Sequence, residues 1–307
     1  MIQNFLLIAQ QIVVLLLLVL AGFFCGKYKL ITDSGVKTCT NIVLYLSTPA
    51  IIINSYIRDF DVNLLADLGI SLGLSLLFHV VGIIVARIIY PAKKKNDSSA
   101  ICHYATIFSN AGYMALPLQA AILGDVGVFF GSSYVVMFNL LSWTYGIWYV
   151  GRDNSGFSLK KLINPGVIAV LIGIVIFVFS IPVNSMVRSS INHIGSLNTP
   201  LPMIIIGYYI SKSNLLKSLK NKHIYIVSAM RLVIIPLIAI ALMYLMKIPG
   251  AMLTSMTIAV ASPVAVKTAM LAVMFDRNEE LGVNLVSFST LATLITMPVI
   301  IAFAQTL

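Results

Sequence analysis

Apolar runs of about twenty residues, each closed by a short polar stretch, recur along this chain from one end to the other. About twenty apolar residues in a helix match the hydrocarbon thickness of a bilayer. Ten such runs can be drawn, at 4–24, 34–57, 64–90, 100–123, 127–149, 162–180, 190–211, 223–246, 251–274 and 281–304. Hydrocarbon cannot satisfy free backbone groups, so each run is expected as a helix, and the fold class as an all-α polytopic membrane protein. The longest polar stretch, Gly151 to Lys161, divides the chain into residues 1–150 and 151–307, five runs on each side.

Two of the runs contain residues that a continuous helix does not favour. The fourth includes Phe108 to Gly124, FSNAGYMALPLQAAILG, with Asn110, Gly112 and Pro117 near its middle; the ninth includes Ala261-Ser262-Pro263. Proline lacks a backbone donor and crowds the preceding turn, so breaks are expected at Pro117 and Pro263. In lipid such a break is tolerated only where it is buried in protein or lines a wet cavity. Both fall in the fourth run of their half. Leu46-Ser47-Thr48-Pro49 in the second run is likewise matched by Leu197-Asn198-Thr199-Pro200 in the seventh. An odd number of spans per half inverts the second relative to the first. The pattern therefore predicts a 5+5 inverted-topology repeat, with a substrate site near the midplane at the broken helices.

Composition narrows the class further. The chain is 59% hydrophobic and 10% charged, with a mean hydropathy of +0.99, which excludes a soluble domain. The net charge of +10 sits in short loops and not in a nucleic-acid-binding face. The connections after runs one, three, five, seven and nine, with the run ends that flank them, hold fifteen of the twenty Lys and Arg, the others three, with Arg231 and Lys267 deep inside runs. By the positive-inside rule the basic connections are cytosolic and both termini extracellular, in a multi-pass protein of the plasma membrane. The first run has no cationic residue before it and no small-residue cleavage site, so it is expected as a retained helix. Cys25, Cys39 and Cys102 cannot all pair and are expected as thiols.

Candidate chemistry gathers at the breaks. Half-helix N-termini offer unpaired N–H groups and a positive dipole end, which suits an anion. Asn110 can donate and accept there, or serve only as glue between helices, and Gly112 lets a ligand approach the backbone. Lys267, one turn after Pro263, lies far from either headgroup region, and no Asp or Glu occurs at membrane depth to pair with it, since Asp67 opens the third run and Asp125 and Asp276 stand at run ends. It reads as the counter-charge for an anionic substrate, or as an amine bonded to carbonyls freed by Pro263. Arg231 is expected to snorkel to the cytosolic surface or to line an inner vestibule. His79 and His103 are candidates for proton relay against a packing role. Tyr113, Gln119 and Asn139 are candidate pocket liners, and Trp143, Trp148 and Tyr149 candidate interface anchors. There is no P-loop, metal-ligand cluster, nucleophile elbow or acidic pair, so neither an enzyme nor a cofactor is expected.

These motifs, taken in order, resemble the auxin efflux carrier family, which includes plant PIN-type auxin exporters and bacterial malate and malonate permeases. The resemblance rests on Gly26-Lys27-Tyr28, on Asn41 to Leu46 with Pro49, and on Asn110-Ala111-Gly112-Tyr113 with Leu116-Pro117-Leu118. Asn164-Pro165, Pro200 to Gly207 and Ser262-Pro263 complete it. Ala115 departs from it, standing where many members carry a second glycine. The resemblance implies a scaffold of spans one, two, six and seven, a transport domain of spans three to five and eight to ten, elevator-like movement and a homodimer. It also implies a small carboxylate as substrate, such as malate, malonate or an auxin-like acid. A sodium-coupled carrier of a bulkier amphipathic acid and a membrane sensor of a ligand or lipid remain as alternatives.

Overall fold

The computed structural model describes residues 2–91, 96–151, 165–212 and 220–307; Asn164 and the basic segments 92–95, 152–164 and 213–219 lie outside them. Among the described residues the architecture is all-helical, and no strand is formed. The helices are α1 (Ile2–Lys27), α2 (Asp33–Tyr56), α3 (Val62–Ile89) and α4 (Asp97–Ile107). A broken stretch follows, as α5 (111–123) and α6 (125–150). Then come α7 (Pro165–Val178), α8 (Ser185–Ser196), α9 (Pro200–Lys212), α10 (Lys222–Leu245), α11 (Gly250–Ala261), α12 (Lys267–Met274) and α13 (Glu279–Ala304). The stretches Asp33–Tyr56, Val62–Ile89, Ala111–Val150, Lys222–Leu245 and Glu279–Ala304 are long and apolar enough to cross a bilayer. Val13–Lys27 is an apolar stretch of α1, and Pro165–Val178 and Gly250–Ala261 are shorter apolar helices.

Local chemistry sets the ends of these elements. Thr32, Asp61, Asn96, Asn221 and Asn278 cap α2, α3, α4, α10 and α13, each side chain accepting from a backbone N–H of the first turn. Such caps satisfy donors that no helix can bond internally. Of the four widened π turns among the described residues, Val43–Ser47 in α2, Ala111–Ala115 opening α5 and Met230–Ile234 in α10 each end two residues before a proline, Pro49, Pro117 and Pro236, while Ser142–Gly146 in α6 does not. The proline ring crowds the carbonyl four residues back, at Tyr45, Tyr113 and Leu232, and the turn opens to accommodate it.

α5 and α6 part at Gly124, where φ is 62° and ψ −149°. Only glycine occupies that region at ease. The seventh run is not one helix. It divides into α8 and α9 around Leu197 to Thr199, because a residue before proline is pushed out of the helical region and Pro200 reopens the next helix.

α1 lies along α9 with almost no side chain between the two backbones. A Cβ on Gly22 would stand 2.2 Å from the Ile204 carbonyl oxygen, and one on Gly207 2.0 Å from that of Val19. The second part of α2 packs on α7 and α8. Here the two copies of the Leu-x-Thr-Pro motif meet, with Thr48 Oγ1 donating to Asn198 Oδ1 at 2.8 Å. α3 and α11 pack on the α5–α6 stretch, and α13 on α11 and α12. Exposed apolar side chains lie along α1 (Val13, Leu17, Leu20), α3 (Ile84, Ile88), α7 (Leu171, Val175) and α13 (Ile295, Val299). So much bare apolar surface fits a lipid-facing exterior.

Candidate functional site

The two interruptions meet. Ser109 and Val264 form an isolated antiparallel bridge, in which Asn110 N–H donates to the Pro263 carbonyl at 2.7 Å and Ala265 N–H to the Phe108 carbonyl at 3.0 Å. Val264 N–H donates to Ser289 Oγ of α13 at 3.1 Å. Backbone groups released by breaking two helices are thus bonded within the protein, as an apolar surrounding requires. The crossing places the C-terminal ends of α4 and α11 on one side and the N-terminal ends of α5 and α12 on the other.

The first break does not fall at Pro117. It spans 108–110, and Pro117 lies within the helix that resumes at Ala111. Pro117 is the seventh residue of that helix, where the widened turn Ala111–Ala115 accommodates its ring and its missing N–H, and the interruption is left to the residues that pair with the other strand of the crossing. Pro263 does lie in the second break.

On the N-terminal side of the crossing is a cavity of about 170 Å³, large enough to hold water. Asn110, Gly112 and Tyr113 border it from the start of α5, and Ala265, Val266, Lys267 and Met270 from the start of α12. Val135, Phe138, Asn139 and Trp143 contribute from α6, Leu44, Tyr45 and Thr48 from α2, and Pro165 and Gly166 from α7. Of the candidate residues the structure brings together Asn110, Gly112, Tyr113, Asn139 and Lys267. Asn110 Nδ2 is buried with no hydrogen-bond partner. A Cβ on Gly112 would meet nothing within 4 Å. Asn139 Nδ2 is spent on its own helix, donating to the Val135 carbonyl at 2.9 Å.

Lys267 Nζ stands 4.4 Å from the Trp143 ring centroid and 4.9 Å from that of Phe138. Among the described residues it has no carboxylate partner. Two ring faces attract an ammonium, at about 0.5–2 kcal/mol each, while leaving its charge uncompensated. Trp143 is therefore part of the cavity wall and not an interface anchor. Tyr149 is also buried, donating to the Tyr90 carbonyl at 3.0 Å, and Trp148 alone of the three is exposed.

Other candidates lie off the cavity. Ser262 Oγ donates to the Ile258 carbonyl at 2.9 Å and ends α11; Pro263 offers its carbonyl to Asn110. Gln119 is fully buried, Nε2 donating to the Ser255 carbonyl at 2.8 Å, with Gly131 so close that a Cβ there would lie 2.0 Å from Oε1. It joins α5 to α11 and does not line the pocket. His79 Nδ1 donates to the Ser75 carbonyl at 2.7 Å, and its ring packs 4.7 Å from that of Tyr134, behind the crossing. His103 is bonded to Tyr145 Oη at 2.9 Å and stacks on Tyr149 at 3.6 Å between ring centroids. Neither histidine borders the cavity.

Arg231 does not snorkel. It is 1% exposed, and its Nη1 donates to the Ile107 carbonyl at 3.0 Å and the Thr106 carbonyl at 3.4 Å, while Nη2 donates to the Val260 carbonyl. The π turn that holds it faces inward, and carbonyls at the ends of α4 and α11 replace the water the side chain would otherwise seek.

Sequence reasoning missed Phe138, Thr48 and Tyr45 as cavity residues. Aromatic and hydroxyl side chains inside apolar runs carry no signal of their own; the nearest was Thr48 in the repeated Leu-x-Thr-Pro motif.

A family model described as membrane transport protein matches residues 7–157 and 152–301 of the chain. An uncharacterized transporter of Methanothermobacter thermautotrophicus is 22% identical over 297 residues, covering 94% of this chain and 96% of that protein. One of Methanocaldococcus jannaschii is 24% identical over 301 residues, covering 93% and 95%.

Proposed function

The chain belongs to the membrane transport protein family, and from that premise we propose that it is a secondary carrier of a small organic anion, bound in the cavity beside the crossing. The observation that carries the reading is Lys267, an ammonium held between two aromatic rings in a cavity with no acid among the described residues of its lining. The first turn of α5 and the first turn of α12 open onto the same space. Each helix N-terminus presents roughly half an elementary positive charge, so the cavity faces about two positive charges in all. A dicarboxylate of the size of malate or malonate matches that charge, and Asn110 Nδ2 supplies a free donor for a carboxylate oxygen.

The proposed carrier crosses the plasma membrane ten times as a 5+5 inverted repeat, with both termini extracellular. The scaffold consists of spans one, two, six and seven. Spans three to five and eight to ten form the transport domain, which moves past it as an elevator, in a homodimer. This arrangement is supported by the contact between the two Leu-x-Thr-Pro copies at Thr48 and Asn198. It is also supported by a cavity walled by α2 and α7 on one side and by α5, α6 and α12 on the other.

Uptake of labelled malate into proteoliposomes, with membrane potential and pH gradient imposed separately, tests the reading. Saturable uptake, competed by malonate and lost in Lys267→Ala, is expected. Absence of flux together with absence of competition by any carboxylate overturns it.

A further inference from the structure

Arg231 is the other cation deep inside an apolar run, away from the run ends that hold Lys37 and Arg87, and the anion site does not use it. It lies on the opposite side of the crossing from Lys267, where α4 and α11 end. The last carbonyls of a helix have no intrahelical donor, and each C-terminus carries roughly half a negative charge. Two such ends pointing together amount to about one negative charge with several free oxygens. In membrane carriers with broken helices, carbonyl groups of this kind are where an inorganic cation is coordinated.

Here the position is filled by the chain itself. The Arg231 guanidinium contributes one positive charge and bonds the Thr106, Ile107 and Val260 carbonyls, so that one residue of α10 spans both half-helix ends. No carboxylate among the described residues pairs with it. Its Nε makes no hydrogen bond, so the contact is an end-on cation at a carbonyl cluster and not a saturated fork.

We propose that Arg231 is a tethered cation occupying the site that a free coupling cation would take, so that the carrier needs no sodium at its crossing, and that removing the side chain converts the position into a site for a small free cation. The transport half of this inference rests on the proposed function; the binding half does not.

The test uses the purified full chain. Arg231→Ala is expected to melt below the wild type in choline chloride, and low-millimolar guanidinium chloride or sodium chloride to restore part of the loss, with no such effect on the wild type. Arg231→Lys, which keeps the charge, is expected to melt above Arg231→Gln, which keeps only neutral donors. This pair decides the matter even if the Ala variant fails to fold. Wild-type uptake in proteoliposomes is expected to be the same in sodium and in choline. The inference is overturned if Lys and Gln variants melt alike, if neither cation shifts a folded Ala variant, or if wild-type uptake stops without sodium. A wild type that takes up no carboxylate at all refutes the proposed function, while the melting comparison still decides the role of Arg231.

Discussion

Replacing Lys267 by Met removes the ammonium and keeps an unbranched stem against Phe138 and Trp143. At an effective dielectric near 20, an ammonium about 4 Å from a carboxylate contributes roughly 4 kcal/mol. Lys267 is half-buried and its cavity has room for water, so screening reduces that figure to about 2–3 kcal/mol. At 1.36 kcal/mol per tenfold change, the dissociation constant for a dicarboxylate should rise roughly 30- to 150-fold. The half-helix ends, which supply the rest of the positive charge, remain. A monocarboxylate should therefore be weakened less than a dicarboxylate. Folding should be unharmed, because a cation with no ion-pair partner is replaced by an apolar chain of similar length. The assay is binding of malate or malonate to the purified protein, read as a ligand-dependent melting shift and checked by uptake in proteoliposomes. Dicarboxylate affinity within threefold of wild type, in a Met variant that melts normally, would refute the electrostatic account of the site.

Three further substitutions separate the cavity from its frame. A Cβ on Gly112 meets open space, so Gly112→Ala should fold and Gly112→Leu should fill much of the 170 Å³ cavity, abolishing uptake with little change in melting temperature; uptake by the Leu variant at the wild-type rate contradicts this placement. Gln119→Met breaks the bond to the Ser255 carbonyl and should lower stability by about 1–3 kcal/mol while leaving the substrate dissociation constant unchanged, measured by melting and by binding. Gly124→Ala forces a side chain into a backbone conformation that costs about 1–3 kcal/mol, although nothing crowds the added atom, so a clear drop in melting temperature is expected and an unchanged one argues against the kink.

Much of the helical layout is legible in the order of residues alone. The apolar runs at 34–57, 64–90, 223–246 and 281–304 correspond to helices Asp33–Tyr56, Val62–Ile89, Lys222–Leu245 and Glu279–Ala304 within two residues at each end. Length and apolarity are local properties, and lipid allows the backbone few alternatives to a helix. The break at Pro263 is legible because Ser262, Pro263 and the residues after them continue no helix. The other break lies seven or more residues ahead of Pro117, where the sequence predicts it, because a widened π turn at Ala111–Ala115 absorbs the proline within the resumed helix.

Which side chain meets which was decided only by the crossing of the two interruptions. Lys267 and Trp143 are 124 positions apart, and no local pattern announces that one ring stands 4.4 Å from the other's ammonium. Arg231 shows the limit most clearly. Its depth in the run suggests a side chain reaching for the cytosolic surface. The carbonyls that hold it come from residues 106, 107 and 260, on two different helices. Sequence by itself determined that this chain is a set of membrane-compatible helices with two internal interruptions and two cations at depth. Tertiary structure decided that one cation faces the positive helix ends and an open cavity while the other closes the negative ends. Helix formation depends on neighbours a few residues away, whereas compensation of charge and of free backbone groups depends on distance in space.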